Sequence, residues 1–258
     1  MKKVKLIIAA VAMLSLVSSS AVYADGFAPG EGLYIGGYFG HTAGHMSAKV
    51  VSTDYNFPTT TTRSTNTHEL TEGGVGLSGT EGGGYMGYGY KMGDLYIGVE
   101  GGYAWGGAKF EATSTKDIEV SASGDDTNDY TFNKVSAEAK YTANLGGRIG
   151  VYLNPDSLLT FGGGVTASEF DATWGAFSET YYAGGGRFSA AIDSRLSAID
   201  PNLSVRIEAH FTDYMKASVN AIGTSQGRDG MNDSEVSGQA YGSRIGLQYS
   251  FFDANSLF

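Results

Sequence analysis

Histidine side chains bind metals and transfer protons at neutral pH, and the chain contains four of them. His41 and His45 lie four residues apart, a spacing that brings two ligands together on one face of a helix. On a β-strand the same spacing separates the two Cα atoms by roughly 13 Å, at about 3.3 Å per residue. The two side chains could then bind the same ion only if the strand were bent. We therefore expect polar residues at the rim of the fold, and no metal site.

His210 is the main candidate for catalysis, because it follows Arg206 and Glu208 at alternate positions. A hydrolase needs a nucleophile, a base and an orienting carboxylate within hydrogen-bonding distance. The nearest hydroxyl after the histidine belongs to Thr212. Residues spaced by two also share one face of a strand, where they pair with charges on neighbouring strands. We expect this structural network, and the sequence predicts no catalytic residues.

Two acidic stretches, at 123–133 and 225–235, have a spacing faintly similar to that of calcium loops. Neither has the full alternation of oxygen ligands and the closing glutamate of a calcium-binding hand. We expect solvated loop tips at both places. The chain has no cysteine, which excludes disulfides and thiolate metal sites. The sequence therefore predicts no cofactor.

The beginning of the chain is typical of an export signal. Residues 1–5 include three lysines, residues 6–17 form an apolar run with one serine, and Val22 and Ala24 are the small residues that a signal peptidase reads. Residues 1–24 are thus the predicted signal peptide. The mature chain has 234 residues, with 14 basic and 27 acidic side chains, for a formal charge of −13. This acidic balance argues against nucleic acid as a partner.

Apolar and polar residues then alternate in eight runs, each roughly as long as a tilted strand that crosses a bilayer. The runs are residues 33–43, 84–92, 95–105, 140–153, 158–167, 188–198, 203–211 and 243–251. Short turns and long polar connections join them alternately. A soluble sandwich has no reason to sort its connections by length, whereas an outer-membrane barrel does. The sequence predicts an all-β fold, a transmembrane antiparallel up-and-down β-barrel of eight strands.

The charged residues of these runs share one face. By parity they are Glu100, Lys140, Arg148, Asp193, Arg195, Arg206, Glu208 and Arg244. Five cations turned toward hydrocarbon would cost about 2–4 kcal/mol each near the midplane. That total matches or exceeds the whole stability of an ordinary domain, about 5–15 kcal/mol. We therefore expect these residues to form a charge network inside the lumen, with apolar residues facing lipid.

The last run contains RIGLQYSF, residues 244–251. It resembles the C-terminal assembly signal of bacterial outer-membrane proteins, in which a polar residue, a glycine and two aromatic residues take fixed places. Arg244, Gly246, Tyr249 and Phe251 match those places. The resemblance implies that the barrel-assembly machinery reads this segment. In that family the last aromatic residue usually ends the chain, whereas seven more residues follow here, so the final strand ends either at Phe251 or nearer the terminus.

The segments GLYIGGYFG, LYIGVEGGYAWG and LSVRIEAHFTDY are similar to the small eight-stranded outer-membrane barrels of OmpA-like and opacity-like surface proteins. We expect a signal peptide (1–24), a short periplasmic N-terminal segment (25–31), the barrel (32–252) and a short C-terminal tail (253–258), in the outer membrane of a Gram-negative bacterium. Aromatic residues should form interfacial girdles. The predicted girdle residues are Phe39, Tyr103, Trp105, Tyr141 and Phe211 on the outer side, with Tyr249 and Phe251 on the periplasmic side.

The resemblance implies a non-enzymatic surface protein that gives envelope structure and presents loops for interaction or adhesion. Its expected partners are outer-membrane lipid and lipopolysaccharide, the barrel-assembly machinery during biogenesis, and an extracellular ligand bound through the loops. Two alternatives stay open: a narrow or gated small-solute pore, and a lipid-modifying barrel enzyme. Deacylating barrel enzymes pair a histidine with a serine two residues later, and Thr212 takes that place here.

Overall fold

The computed structural model describes residues 26–55, 63–71, 77–106, 109–121, 129–174, 177–219 and 234–252. The predicted signal peptide and the predicted C-terminal tail lie outside these residues, as does most of the acidic stretches at 123–133 and 225–235. In the described ranges, no helix has the length and apolar character needed to span a membrane.

The described residues form ten antiparallel strands. They are β1 (Gly32–Tyr55), β2 (Arg63–Thr71), β3 (Leu77–Met92), β4 (Leu95–Gly106), β5 (Lys109–Ser121), β6 (Asp129–Asn154), β7 (Ser157–Trp174), β8 (Phe177–Arg195), β9 (Leu203–Val219) and β10 (Ser234–Phe252). Eight strands close a ring, because β1 pairs with both β10 and β3. The predicted eight-stranded barrel is confirmed. The other two, β2 and β5, extend hairpins in connections that the sequence pattern predicted as loops.

Short turns join the barrel strands at one end. Gly93, between β3 and β4, has a φ of 63°, a left-handed conformation that favours glycine. A two-residue turn joins β6 to β7, where the Asn154 side chain accepts a hydrogen bond from the Asp156 amide at 2.9 Å. β8 ends at Arg195, three residues earlier than predicted, because a turn begins at Leu196, whose carbonyl accepts hydrogen bonds from the Ile199 amide at 2.8 Å and the Asp200 amide at 3.1 Å. In outer-membrane barrels the short-turn end faces the periplasm.

The outer surface carries an apolar belt. Leu145, Ile149 and Val165 are 64%, 63% and 64% exposed, and the same face of every barrel strand presents similar side chains. Soluble monomers rarely expose apolar patches larger than a few hundred Å². A continuous apolar surface of this kind is therefore not suited to water. The side chains between them point into the lumen and are largely buried. The belt is therefore the lipid-facing surface.

Beyond the belt the polarity of both faces reverses. On β7 the outward residues change from Phe161 and Val165 to Asp171, while the inward residues change from Thr160 to Phe170. The interior of this extracellular part is apolar, and we call it the upper core. It comprises Met46, Phe110, Ala137, Phe170, Ala172, Tyr181, Ala183, Ala217, Val236 and Ala240. The strands thus continue past the membrane as a barrel with an apolar interior and a polar exterior, as in water-soluble sheets.

The N-terminal residues fill the periplasmic mouth. The Phe27 amide donates to the Asn202 side chain at 3.1 Å, and the Tyr152 hydroxyl donates to the Pro29 carbonyl at 2.9 Å. Ala28 is 2% exposed and packs with Tyr152 in a buried cluster. The chain itself therefore covers the periplasmic end of the lumen.

Candidate functional site in the lumen

Four charged side chains meet in the lumen near its periplasmic half. Arg148 contacts Glu100 at 3.1 Å and Asp193 at 2.9 Å, and Arg206 contacts the same two carboxylates at 2.5 Å each. None of the four is more than 8% exposed. We call Glu100, Arg148, Asp193 and Arg206 the lower charge layer. Its two positive and two negative charges balance, which buried ions require in a medium of low polarity.

The remaining barrel strands complete this layer. The Tyr34 hydroxyl of β1 donates to Glu100 at 3.0 Å, and Thr160 of β7 accepts from Arg148 at 2.6 Å. Gln248 of β10 accepts a hydrogen bond from Arg206, whose guanidinium lies 4.3 Å from the ring centre of Tyr85 on β3. Each of the eight barrel strands therefore contributes at least one side chain to this cross-section of the lumen.

A second group of charges lies farther from the periplasm, where Glu208 follows Arg206 by two residues on β9. Arg244 and Arg187 both contact Glu208 Oε1, at 2.7 and 3.4 Å. The Arg244 guanidinium also lies 4.2 Å from the ring centre of Tyr38. We call Arg187, Glu208 and Arg244 the upper charge layer. Arg187 was missed from the sequence because the predicted strand began one residue later, although its parity matches that of Asp193.

His210 lies in the lumen above these layers. Its Nε2 atom is 3.9 Å from Glu81 Oε1, which is longer than a hydrogen bond. Its Nδ1 atom has no hydrogen-bond partner among the described residues, and Thr212 is 3% exposed. Among the described residues, the Nδ1 atom of His210 therefore makes no nucleophile-to-base contact with a hydroxyl.

The other two histidines considered as ligands lie on β1. His41 is exposed, and His45 Nδ1 is 3.5 Å from the Tyr241 hydroxyl. Within the described ranges, no group of three or more histidine, cysteine, aspartate or glutamate side chains is arranged to hold a metal ion.

The prediction that Lys140 lies in the lumen was wrong. Its ammonium group is 3.2 Å from Glu138 and 3.8 Å from Asp171, on the outer surface. The pairing of β6 with β7 shifts by one residue between Ala139 and Tyr141. Such a β-bulge adds an unpaired residue and reverses the parity beyond it. Parity counted through the bulge therefore gives the wrong face.

Arg195 also lies away from the two charge layers. Its Nε atom is 3.3 Å from the Asp156 carboxylate, and its guanidinium donates to the Pro155 carbonyl at 3.5 Å. These partners belong to the turn between β6 and β7. Arg195 thus ties two periplasmic turns together, because it is the last residue of β8 and cannot reach the middle of the lumen.

The predicted girdle residues face outward. Phe39, Tyr103, Trp105, Tyr141, Tyr249 and Phe251 are exposed, and Phe211 is half-buried. Tyr103 stacks on Tyr141 with ring centres 5.8 Å apart, and Phe211 stacks on Tyr241 at 6.2 Å. In the predicted assembly signal, Arg244 and Gly246 point inward while Tyr249 and Phe251 point outward. Within the described residues, the closing strand runs to Phe252.

Inward and outward glycines have different reasons to be glycine. A Cβ atom on Gly164 would overlap the Leu145 carbonyl of β6, and one on Gly246 would lie 2.5 Å from the Gly37 carbonyl of β1. A Cβ on Gly163, the next residue, would find only the Phe188 ring at 3.9 Å. Inward glycines such as Gly164 and Gly246 are needed for the close approach of adjacent strands, and outward ones such as Gly163 are not.

A polar cleft of about 360 Å³ lies on the extracellular surface. Its lining includes Lys109, Glu138, Lys140, Asp171, Thr173 and Thr180. The outward turn of Lys140 at the bulge brings its ammonium group to this cleft, close to the exposed ring of Tyr141. The cleft thus presents cationic, anionic and hydroxyl groups just beyond the aromatic residues of the outer surface.

No protein-family model and no curated protein matches the chain. Among solved structures it is similar to Neisserial surface protein A, at 10% identity and a TM-score of 0.41 over 86% of this chain and 98% of that one. It is similar to the outer membrane protease OmpT from Escherichia coli, at 12% identity and a TM-score of 0.45 over 91% and 99%. The outer membrane protein OprG from Pseudomonas aeruginosa gives 15% identity and a TM-score of 0.47 over 87% and 99%.

These likenesses concern the fold alone. The conclusion follows from three features of the chain itself: eight antiparallel strands close a ring, the outer face carries an apolar belt, and buried ion pairs lie in the lumen. Spanning barrels with this arrangement are characteristic of the bacterial outer membrane. The protein is an eight-stranded outer-membrane β-barrel.

Proposed function

We propose that this protein is a closed, non-enzymatic barrel that stiffens the outer membrane and presents a structured surface outside the cell. The lower charge layer is the observation that carries the proposal. Its four ions are nearly inaccessible to solvent, and all eight barrel strands contribute side chains to that cross-section. An eight-stranded barrel has an interior just wide enough to be filled by side chains.

Two further obstructions lie in series with this layer. The segment around Ala28 covers the periplasmic mouth, and the upper core, with Phe170 at 1% exposure, fills the extracellular part. A hydrated solute would have to displace buried rings at one level and break paired charges at another. This arrangement argues for a scaffold and against an open pore.

The extracellular surface supports the second half of the proposal. The strands continue past the belt and hold the polar cleft at a fixed distance from the membrane. Lipid acyl chains would cover the belt, and sugars of lipopolysaccharide or an extracellular ligand would meet the cleft and the loop tips. The barrel-assembly machinery would read the closing strand during biogenesis.

Planar-bilayer recording tests whether the lumen is closed. We expect the purified, folded protein to give no stable conductance steps in a bilayer where a known porin gives them. Reproducible steps of uniform size from the folded protein would contradict the proposal, because they require a continuous hydrated path.

Mass spectrometry of lipid A tests the non-enzymatic part. We expect cells that express the protein to have the same lipid A acylation as cells that do not. Altered lipid A that returns to normal in a His210→Ala variant would instead support the lipid-modifying alternative. Equal folding of the two proteins, checked by heat-dependent gel mobility, keeps that comparison valid.

A further inference from the structure

The two charge layers differ in their balance. In the lower layer two guanidinium groups meet two carboxylates, whereas in the upper layer Arg187 and Arg244 share a single carboxylate oxygen, Glu208 Oε1. These three residues are 9%, 5% and 3% exposed. The upper layer therefore holds one more positive charge than its carboxylate neutralises, in a place with little access to water.

Arg244 also has donors that no protein group satisfies. Its Nε and Nη1 atoms are buried and have no hydrogen-bond partner among the described residues. The Nδ2 atom of Asn144 is in the same condition. Buried donors without acceptors are costly, and charged ones more so. Both residues therefore need an acceptor, and the charge excess favours one that is negative.

A small cavity lies beside these groups. It has a volume of about 30 Å³ and is lined by Arg187, Glu208, Arg244 and Asn144, together with glycine-rich backbone of β6 and β7. Arg148 and Glu100, which pair with each other, line its lower side. A volume of this size holds about one particle the size of a water molecule. This volume favours a monatomic ligand over a larger polyatomic one such as phosphate.

We propose that this cavity binds one monatomic anion of the halide class, chloride in the cell. The ion accepts hydrogen bonds from Arg244 and Asn144 and neutralises the charge that Glu208 leaves over. The ion supplies the second negative charge of the upper charge layer, as the second carboxylate does in the lower charge layer.

Two other ways to satisfy the site are weaker. A water molecule fits the volume and accepts hydrogen bonds, but it brings no negative charge to the two guanidinium groups that share Glu208 Oε1. The Glu81 carboxylate also lies in the upper lumen, and its negative charge attracts the positive charge of Arg187. It does not line the cavity, and its Oε1 atom is 3.9 Å from His210 with no hydrogen-bond partner among the described residues. Glu81 therefore supplies no acceptor to Arg244.

Crystals of the detergent-solubilised full-length mature barrel, grown or soaked in sodium bromide, test the proposal directly. Bromide scatters anomalously, so an ordered ion gives a peak that water does not. We expect one peak inside the cavity, within hydrogen-bonding distance of Arg244 and Asn144. Density for water at that position without an anomalous peak would overturn the proposal. So would a bromide peak that occurs only after Glu81→Gln, because Glu81 would then be the balancing charge.

Thermal unfolding gives a second measurement. For a halide concentration a hundredfold above the dissociation constant, we expect the midpoint to rise by about 5–10 °C relative to gluconate at equal ionic strength. Arg187→Gln removes the excess charge and should abolish that rise. Lys216→Gln is the matched control, because Lys216 lies on the outer surface paired with Glu235, and the rise should persist. Equal halide dependence in both variants would show that the effect is not that of the cavity.

Discussion

Replacing Arg206 with methionine should destabilise the barrel more than almost any other single change of charge. Arg206 is 2% exposed and contacts Glu100, Asp193 and Gln248, with its guanidinium against the Tyr85 ring. Methionine keeps much of the volume but removes the charge. The lower charge layer is then left with two carboxylates and only one guanidinium, in a lumen that water does not reach.

The magnitude follows from burial. Removing one partner of a buried ion pair costs about 3–5 kcal/mol, because the other charge stays behind without compensation. A chain of this size loses about 2–4 °C of unfolding midpoint for each kcal/mol, so the midpoint should fall by about 6–20 °C. Removing one carboxylate as well, in the double variant Arg206→Met with Glu100→Gln, should recover part of that loss. The double variant leaves Arg148 and Asp193 as a balanced pair.

Heat-dependent gel mobility in a fixed detergent measures these midpoints. Lys216→Met is the control for loss of a cation, because its side chain is 71% exposed and its contact with Glu235 lies at the surface. Surface pairs contribute about 0–1 kcal/mol, so this variant should unfold close to the wild-type temperature. If Arg206→Met also unfolds there, water must reach the lower layer, and the reasoning about a dry lumen is wrong.

Three more changes test the wall and the ends of the barrel. Leu145→Arg places a cation in the lipid-facing belt and should cost about 2–4 kcal/mol if the residue lies near the bilayer midplane, lowering the folded fraction in lipid vesicles. Gly164→Ala should destabilise the barrel by about 1–3 kcal/mol, measured by urea unfolding, because the new methyl group overlaps backbone of the adjacent strand. Phe251→Ser should slow assembly in cells, measured by pulse-chase, because the predicted assembly signal loses its last aromatic residue.

Each of these has a control on the same chain. Thr113→Arg is the control for Leu145→Arg. Thr113 lies on the exposed face of β5, outside the belt, so a barrel with this change should insert normally. Gly163→Ala should be nearly neutral, and equal losses at Gly163 and Gly164 would contradict the account of the inward glycines. Deleting residues 253–258 should slow assembly less than Phe251→Ser does. If only the deletion is harmful, the signal is nearer the chain terminus.

The alternation of polar and apolar residues was enough to predict the fold and most of the residues that line the lumen. Glu100, Arg148 and Arg206 were each assigned inward by parity, and the structure brings them into direct contact. Counting alternate positions predicts the faces correctly here, because outward residues meet lipid and are apolar, whereas the next residue points inward and is polar or charged. A slip of one residue would exchange the two faces, so the pattern is strongly constrained.

The same rule fails where its physical basis ends. Lys140 was misassigned because a bulge inserts one residue, and a bulge leaves no signal in the alternation that it interrupts. The strands also run farther than predicted, since beyond the belt the outward face meets water and becomes polar. On β7 this change occurs near Phe170, where the interior turns apolar. Apolar outward residues mark only the part of a strand that lies in the membrane. Strand ends predicted from them are therefore too early.

The upper core has a consequence for recognition outside the cell. Side chains such as Met46, Phe110 and Tyr181 bind the strand ends to one another from within. A partner that docks on this wall meets groups whose positions are already set, so little conformational entropy is lost at the moment of encounter. Affinity can then come from few contacts, and specificity from the shape of a stiff surface.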